Sequence, residues 1–147
     1  MFVVDSSVLA TAADRGDPGH EMCRSQLETW RQQPTPWYLT WPILFDFLRI
    51  VSDPSVYRKP WTIEQAWNFV DAILASPNLT VLTAGDRHQS IVENLLGDIP
   101  GLRGESMHEM QVVATMLEHG IKQIVTRDTE FYRFSMLEVR DPLQTKS

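Results

Sequence analysis

Short continuous apolar runs alternate along the chain with longer stretches in which apolar residues recur every three or four positions. Phe2-Val3-Val4 is a continuous apolar run that stops at Asp5, the pattern of a short buried strand. Asp14 to Gly19 reads as a loop from its glycine and proline content. From His20 to Gln32, Met22, Leu27 and Trp30 recur among polar residues and predict a helix, closed by Pro34 and Pro36. Trp37 to Thr40 has the aromatic composition of a strand. Pro42 then opens a helix that runs to about Val51, with Ile43, Phe47, Ile50 and Val51 on one face and Asp46 at its edge. Asp53-Pro54 ends it.

Thr62-Ile63-Glu64-Gln65 matches a capping box and starts a helix to about Ala75. That helix is apolar on two sides, Ile63, Trp67, Val70 and Leu74 on one and Ala66, Phe69 and Ile73 on the other. One side can serve the core and the other a partner. Leu79 to Leu82 predicts a third strand, Asp86 to Leu96 a helix, and Ser106 to His119 a further helix stopped by Gly120. Gln123 to Thr126 and Leu137 to Val139 complete the strands. Such alternation predicts an α/β fold with a short, mainly parallel sheet flanked by helices, one domain over residues 1–147. Sites in such sheets form beyond the carboxyl ends of the strands, where Asp5 and Asp128 fall.

Composition narrows the function. A net charge of −6 disfavours a protein that grips nucleic acid through bulk positive charge, yet carboxylates gathered around a cation would lower the apoprotein's charge in the same way. No apolar run is long enough to span a bilayer, and the N-terminus lacks the pattern of a signal peptide. The single cysteine, Cys23, forms neither an internal disulfide nor a zinc-type cluster, and the expected setting is a reducing cytoplasm.

Four acids stand at element ends, and each has a plainer reading. Asp5 can reach a cleft at the sheet edge or cap the next helix. Asp46, inside an apolar helix start, can serve a site or pair with Arg49 three residues on. Glu109 completes a capping box with Ser106 by sequence alone. Asp128 can be a turn acid paired with Arg127 or Arg133. The histidines, His20, His88, His108 and His119, lack metal-type spacing. Carboxylate oxygens gathered in one place suit hard cations such as Mg²⁺ or Mn²⁺.

Several segments resemble a known family. Phe2 to Leu9 is similar to the opening of PIN domains, an apolar strand ending in Asp-x-Asn. Phe47 to Pro54 resembles the Phe-Leu-Arg-x-x-Thr-x-Pro segment of one branch of the VapC toxins. Met107-His108-Glu109 and Leu117 to Gly120 resemble its His-Asp-Ala and Glu-His-Gly segments. Thr126 to Phe134 looks like its Thr-x-Asp-x-Asp-Phe-x-Arg-Phe ending, and Arg140 to Leu143 its closing Asn-Pro-Leu. The resemblance spans Met1 to about Leu143 and implies a PIN-like fold and a type II toxin–antitoxin ribonuclease that hydrolyses RNA phosphodiester bonds.

By position, the resemblance makes Asp5, Asp46, Glu109 and Asp128 a metal-binding acidic quartet for Mg²⁺ or Mn²⁺, with Ser7 and Thr126 lining the site. Arg127 and Arg133 are candidate phosphate contacts or surface ion pairs. It also implies an RNA substrate, a cognate antitoxin and a homodimer. Ser7 stands where the family has Asn, Asp46 where it has Glu, and Glu109 where it has Asp. Two alternatives stand beside this reading. One is a PIN protein that only binds partners. The other is a phosphatase of the haloacid dehalogenase type, which needs an acid two residues after Asp5, where Ser7 stands.

Overall fold

The computed structural model describes residues 1–144; the last three residues of the expected domain lie outside the described residues. The first strand, β1 (Val3–Val4), is fully buried, and it becomes the centre of the sheet. β2 (Trp37–Thr40) pairs with it on one side and β3 (Leu79–Leu82) lies beyond β2. β4 (Gln123–Val125) pairs on the other side and β5 (Glu138–Arg140) lies beyond β4. The order β3-β2-β1-β4-β5 is parallel at every pairing, with Val3 opposite both Tyr38 and Ile124. The mainly parallel sheet expected from the sequence is thus wholly parallel over the described residues.

The sequence pattern left one helix unplaced. α1 (Ser6–Ala13) follows β1 directly and buries Val8, Leu9, Ala10 and Ala12. It is short and apolar nearly all round, so it carries no amphipathic stripe to read. α2 (His20–Gln32) turns Cys23, Leu27 and Trp30 inward, and Trp30 packs between Phe2 and Trp37 at ring separations of 5.2 and 6.0 Å. α3 (Trp41–Val51) is capped by Thr40, whose Oγ accepts from the Ile43 N–H.

α4 (Ile63–Leu74) forms the capping box predicted for it, with Thr62 and Gln65 bonding reciprocally. Its two apolar sides are divided differently from the expectation. Ala66, Val70 and Ile73 are buried and Phe69 stacks on Phe47 at 5.1 Å, while Ile63 and Trp67 face outward. α5 (His88–Asp98) starts two residues later than predicted. α6 (Met107–Glu118) is buried from Val112 to Ala114 and at Met116, and closes at Gly120, whose φ of 70° suits a residue without Cβ. No helix among the described residues is long and apolar enough to cross a membrane.

Candidate active site

The chain runs outward from β1 through β2 to β3, then returns to the other side of β1 as β4. This reversal of direction opens a crevice at the carboxyl ends of β1 and β4, where ligand sites of open parallel sheets form. Asp5 leaves β1 there, and its backbone N–H donates to the Val125 carbonyl at 2.9 Å. Asp128 leaves β4 three residues past Val125.

Asp5 is almost completely buried, and two hydroxyls bracket its Oδ2: Ser7 Oγ and Thr126 Oγ1 each donate at 2.8 Å. Those hydroxyls in turn accept backbone N–H groups of the β4 loop, Ser7 from Arg127 at 3.0 Å and Thr126 from Asp128 at 2.9 Å. The carboxylate is thereby tied to both strand ends. Burial pushes its pKa up, opposed by the hydrogen bonds from Ser7 and Thr126. The helix-cap alternative for Asp5 holds as well, since Oδ2 also accepts from the Ser7 N–H at 3.4 Å and caps α1.

Glu109 enters from the first turn of α6. The capping box expected with Ser106 does not form. Ser106 makes no side-chain cap bond, because a 3₁₀ turn over Gly104–Ser106 precedes α6 and Ser106 Oγ accepts instead from Arg133 at 2.9 Å. Glu109 is released from that role. It is 8% exposed, and its Oε2 is buried without a hydrogen-bond partner among the described residues. Burial first, then the adjacent Asp128 carboxyl and the charge of Asp5, raise its pKa to about 7.

Asp128 accepts from the Glu130 N–H and pairs with neither nearby arginine. Arg127 instead pairs with Asp17 at 3.1 Å and donates to Thr11, and Arg133 pairs with Glu130 at 3.0 Å. The ion-pair alternative is therefore what the structure shows for both arginines. Asp46 lies farther out on α3. It pairs with Arg49 at 2.8 Å, as its plainer reading expected, and also accepts from Ser6 Oγ at 2.7 Å.

Two residues here were not singled out from the sequence. Ser6 is buried and lies 3.4 Å from Asp5 Oδ1 while bonding Asp46, so it joins two acids far apart in the chain. His108 Nε2 is buried without a hydrogen-bond partner among the described residues, 3.8 Å from Asp46 Oδ2. Adjacency to Asp5 and Glu109 was their only signal.

The residues suit a hard divalent cation. The donors are carboxylate and hydroxyl oxygens, one carboxylate oxygen is buried without a partner among the described residues, and burial followed by like charges raises the pKa of Glu109. Among the described residues no three Asp, Glu, His or Cys side chains stand close enough together to hold a metal ion as they are.

Ribonuclease VapC33 of Mycobacterium tuberculosis is 33% identical over 144 residues, covering 98% of this chain and 99% of its own. The chain belongs to the VapC ribonuclease family. A second relative, ribonuclease VapC43 of the same species, is 31% identical and covers 97% of this chain and 96% of its own. No protein-family model matches the chain. The crystal structure of M. tuberculosis VapC20, a sarcin–ricin loop cleaving toxin, superposes with a TM-score of 0.66 at 22% identity, covering 96% of this chain and 100% of that one. VapBC2 of Rickettsia felis, solved on a promoter DNA fragment, gives 0.67 at 13% identity, covering 95% and 96%. The fold is the PIN-domain fold of VapC proteins. Membership of this family displaces the phosphatase alternative, and Ser7 is the local reason: its hydroxyl donates to Asp5 where a phosphatase would need a second carboxylate.

Proposed function

We propose that this VapC protein is a metal-dependent endoribonuclease toxin that hydrolyses RNA phosphodiester bonds at Asp5, Asp46, Glu109 and Asp128. The observation that carries the proposal is Glu109, whose Oε2 is buried without a partner among the described residues and whose pKa is raised by burial, by Asp128 and by the charge of buried Asp5 at the carboxyl end of the central strand. Like charges held together at that cost suit a site built to receive positive charge.

In this reading Asp5, Glu109 and Asp128 hold Mg²⁺ or Mn²⁺, and Asp46 contributes directly or through water. The bound ion supplies Lewis acidity and lowers the pKa of an attacking water. The protein's own part is positional. Ser7 and Thr126 fix the Asp5 carboxylate through Oδ2, and Ser6 Oγ lies 3.4 Å from Oδ1. Ser6 and Arg49 fix Asp46 in the same way. Arg127 and Arg133 keep guanidinium N–H groups beyond those used internally, and these can contact substrate phosphates.

The names of the relatives and the solved VapBC complex support an RNA substrate and a cognate antitoxin that silences the enzyme. A homodimer and a cytoplasmic setting belong to the same reading, with residues 1–147 acting as one domain. Exposed Trp41 and Phe45, ring centroids 6.3 Å apart, supply apolar surface for self-association.

Purified protein should cut single-stranded RNA in Mg²⁺ or Mn²⁺ and stop when the ion is chelated. Undiminished cleavage in excess chelator would refute the mechanism. Titration calorimetry with Mn²⁺ separates the enzyme from a PIN protein that only binds partners, because the latter should show no carboxylate-dependent heat.

A further inference from the structure

The four acids line neither of the two cavities that meet at the far end of α1. The larger, about 1180 Å³, is lined by Arg15, Arg58, Lys59, Tyr57, Trp61 and Asn68 among others. The smaller, about 480 Å³, shares Arg15 and Trp61 with it and adds Arg24. Together they form a groove between the α1–α2 loop and the segment joining α3 to α4. Asp14 and Glu21 are the acids along it. Its cations outnumber these acids in a chain whose net charge is −6.

The state of those cations is informative. Arg31, Arg49, Arg87, Arg127, Arg133 and Arg140 all bond to a carboxylate, carbonyl or side-chain amide. Arg15, Arg24, Arg58 and Lys59 make no ion pair among the described residues and donate no side-chain hydrogen bond there; Arg103 and Lys122, outside the groove, share that state. Unengaged cations beside half-buried aromatic rings and a side-chain amide form a surface that can hold phosphates, stack a base and bond a base edge. α1 joins this groove to the acids: its eight residues span about 12 Å at 1.5 Å rise per residue. A strand of a few nucleotides covers that distance.

We infer that the groove bounded by Arg15, Tyr57, Arg58, Lys59 and Trp61 binds single-stranded RNA flanking the scissile bond. The inference rests on the nuclease reading for the identity of the strand, and its test is a binding assay that needs no cleavage. A fluorescent, uncleavable 2′-O-methyl oligoribonucleotide is titrated with full-length protein in Mg²⁺ at several salt concentrations. The triple variant Arg15→Gln, Arg58→Gln, Lys59→Gln replaces exposed side chains. It should bind roughly tenfold or more weakly, with a salt slope shallower by about 2, since each lost phosphate contact on a single strand removes about 0.7. Tyr57→Leu should weaken binding about fivefold or more through lost stacking. Lys122→Gln, an exposed cation outside the groove, should match wild type.

Unchanged affinity and slope in the triple variant would overturn the proposal. So would unchanged RNA binding with loss of a co-expressed protein partner, which would assign the groove to that partner. Circular dichroism verifies that each variant is folded, and Tyr57→Phe, which keeps the ring, should retain binding. Failure of wild-type protein to cleave ordinary RNA would count against the nuclease reading alone.

Discussion

Replacing Glu109 by glutamine should make the metal-free protein more stable while abolishing metal-dependent cleavage. In the folded protein the Glu109 carboxyl titrates near 7 rather than at its ordinary 4.5, for reasons of burial and the neighbouring Asp128. At about 1.36 kcal/mol per pH unit, holding it ionised above pH 7 costs at most about 3.4 kcal/mol of stability. Partial access of water reduces that to roughly 2 kcal/mol, a gain of about 4–8 °C in Tm for a domain of this size. The sign follows from proton counting. Between pH 4.5 and 7 the folded state binds the extra proton, so wild-type stability falls as pH rises through that window and the cost is complete above it.

Thermal unfolding in excess chelator, followed by circular dichroism at pH 8 and pH 5.5, reads both quantities. The advantage of the glutamine variant should shrink by about half at the lower pH. Added Mn²⁺ should reverse the ranking at pH 8, because only wild type gains binding energy from the ion. A Glu109→Gln variant that melts below wild type at pH 8 in chelator would refute the reasoning. Glu109 would then be acting as a stabilising hydrogen-bond acceptor rather than as a carboxylate held against its own charge.

Other substitutions test neighbouring parts of the same account. Asp5→Asn should remove RNA cleavage by at least about a hundredfold while leaving a single cooperative melt, since Ser7 and Thr126 can still bond the amide oxygen; retained cleavage in a gel assay would exclude Asp5 from the chemistry. Asp46→Glu and Glu109→Asp should each lower the cleavage rate and the double exchange should recover part of it, as expected for residues sharing one site; strictly additive losses would show that they act apart. Gly85→Ala should destabilise the fold by about 1–2 kcal/mol in denaturant titration, because its Cβ would stand 2.6 Å from Glu118 Oε2, which also accepts from the Arg87 N–H. A neutral result would mean the Glu118 clasp under α5 yields at no cost.

What the sequence determined is the order and kind of most elements. Apolar runs at Phe2–Val4 and Gln123–Val125 and the capping box at Thr62 are local patterns, and the structure reproduces them. α1 escaped because a buried helix without a polar face has no period to detect. Pairwise choices escaped for a different reason. Ser106-x-x-Glu109 is a capping box by spacing, and only the approach of Arg133, distant in the chain, takes the Ser106 hydroxyl and leaves Glu109 free. Asp128 has two arginines close by in sequence, yet Asp17 and Glu130 take them. A carboxylate bonds to whatever the fold brings within about 3 Å, and sequence spacing predicts that only within a single turn of helix or loop. The crevice itself depends on β4 returning to the far side of β1. That return is a long-range event fixed by burying both faces of the parallel sheet, so it was tertiary structure that brought Asp5 and Asp128 to one site.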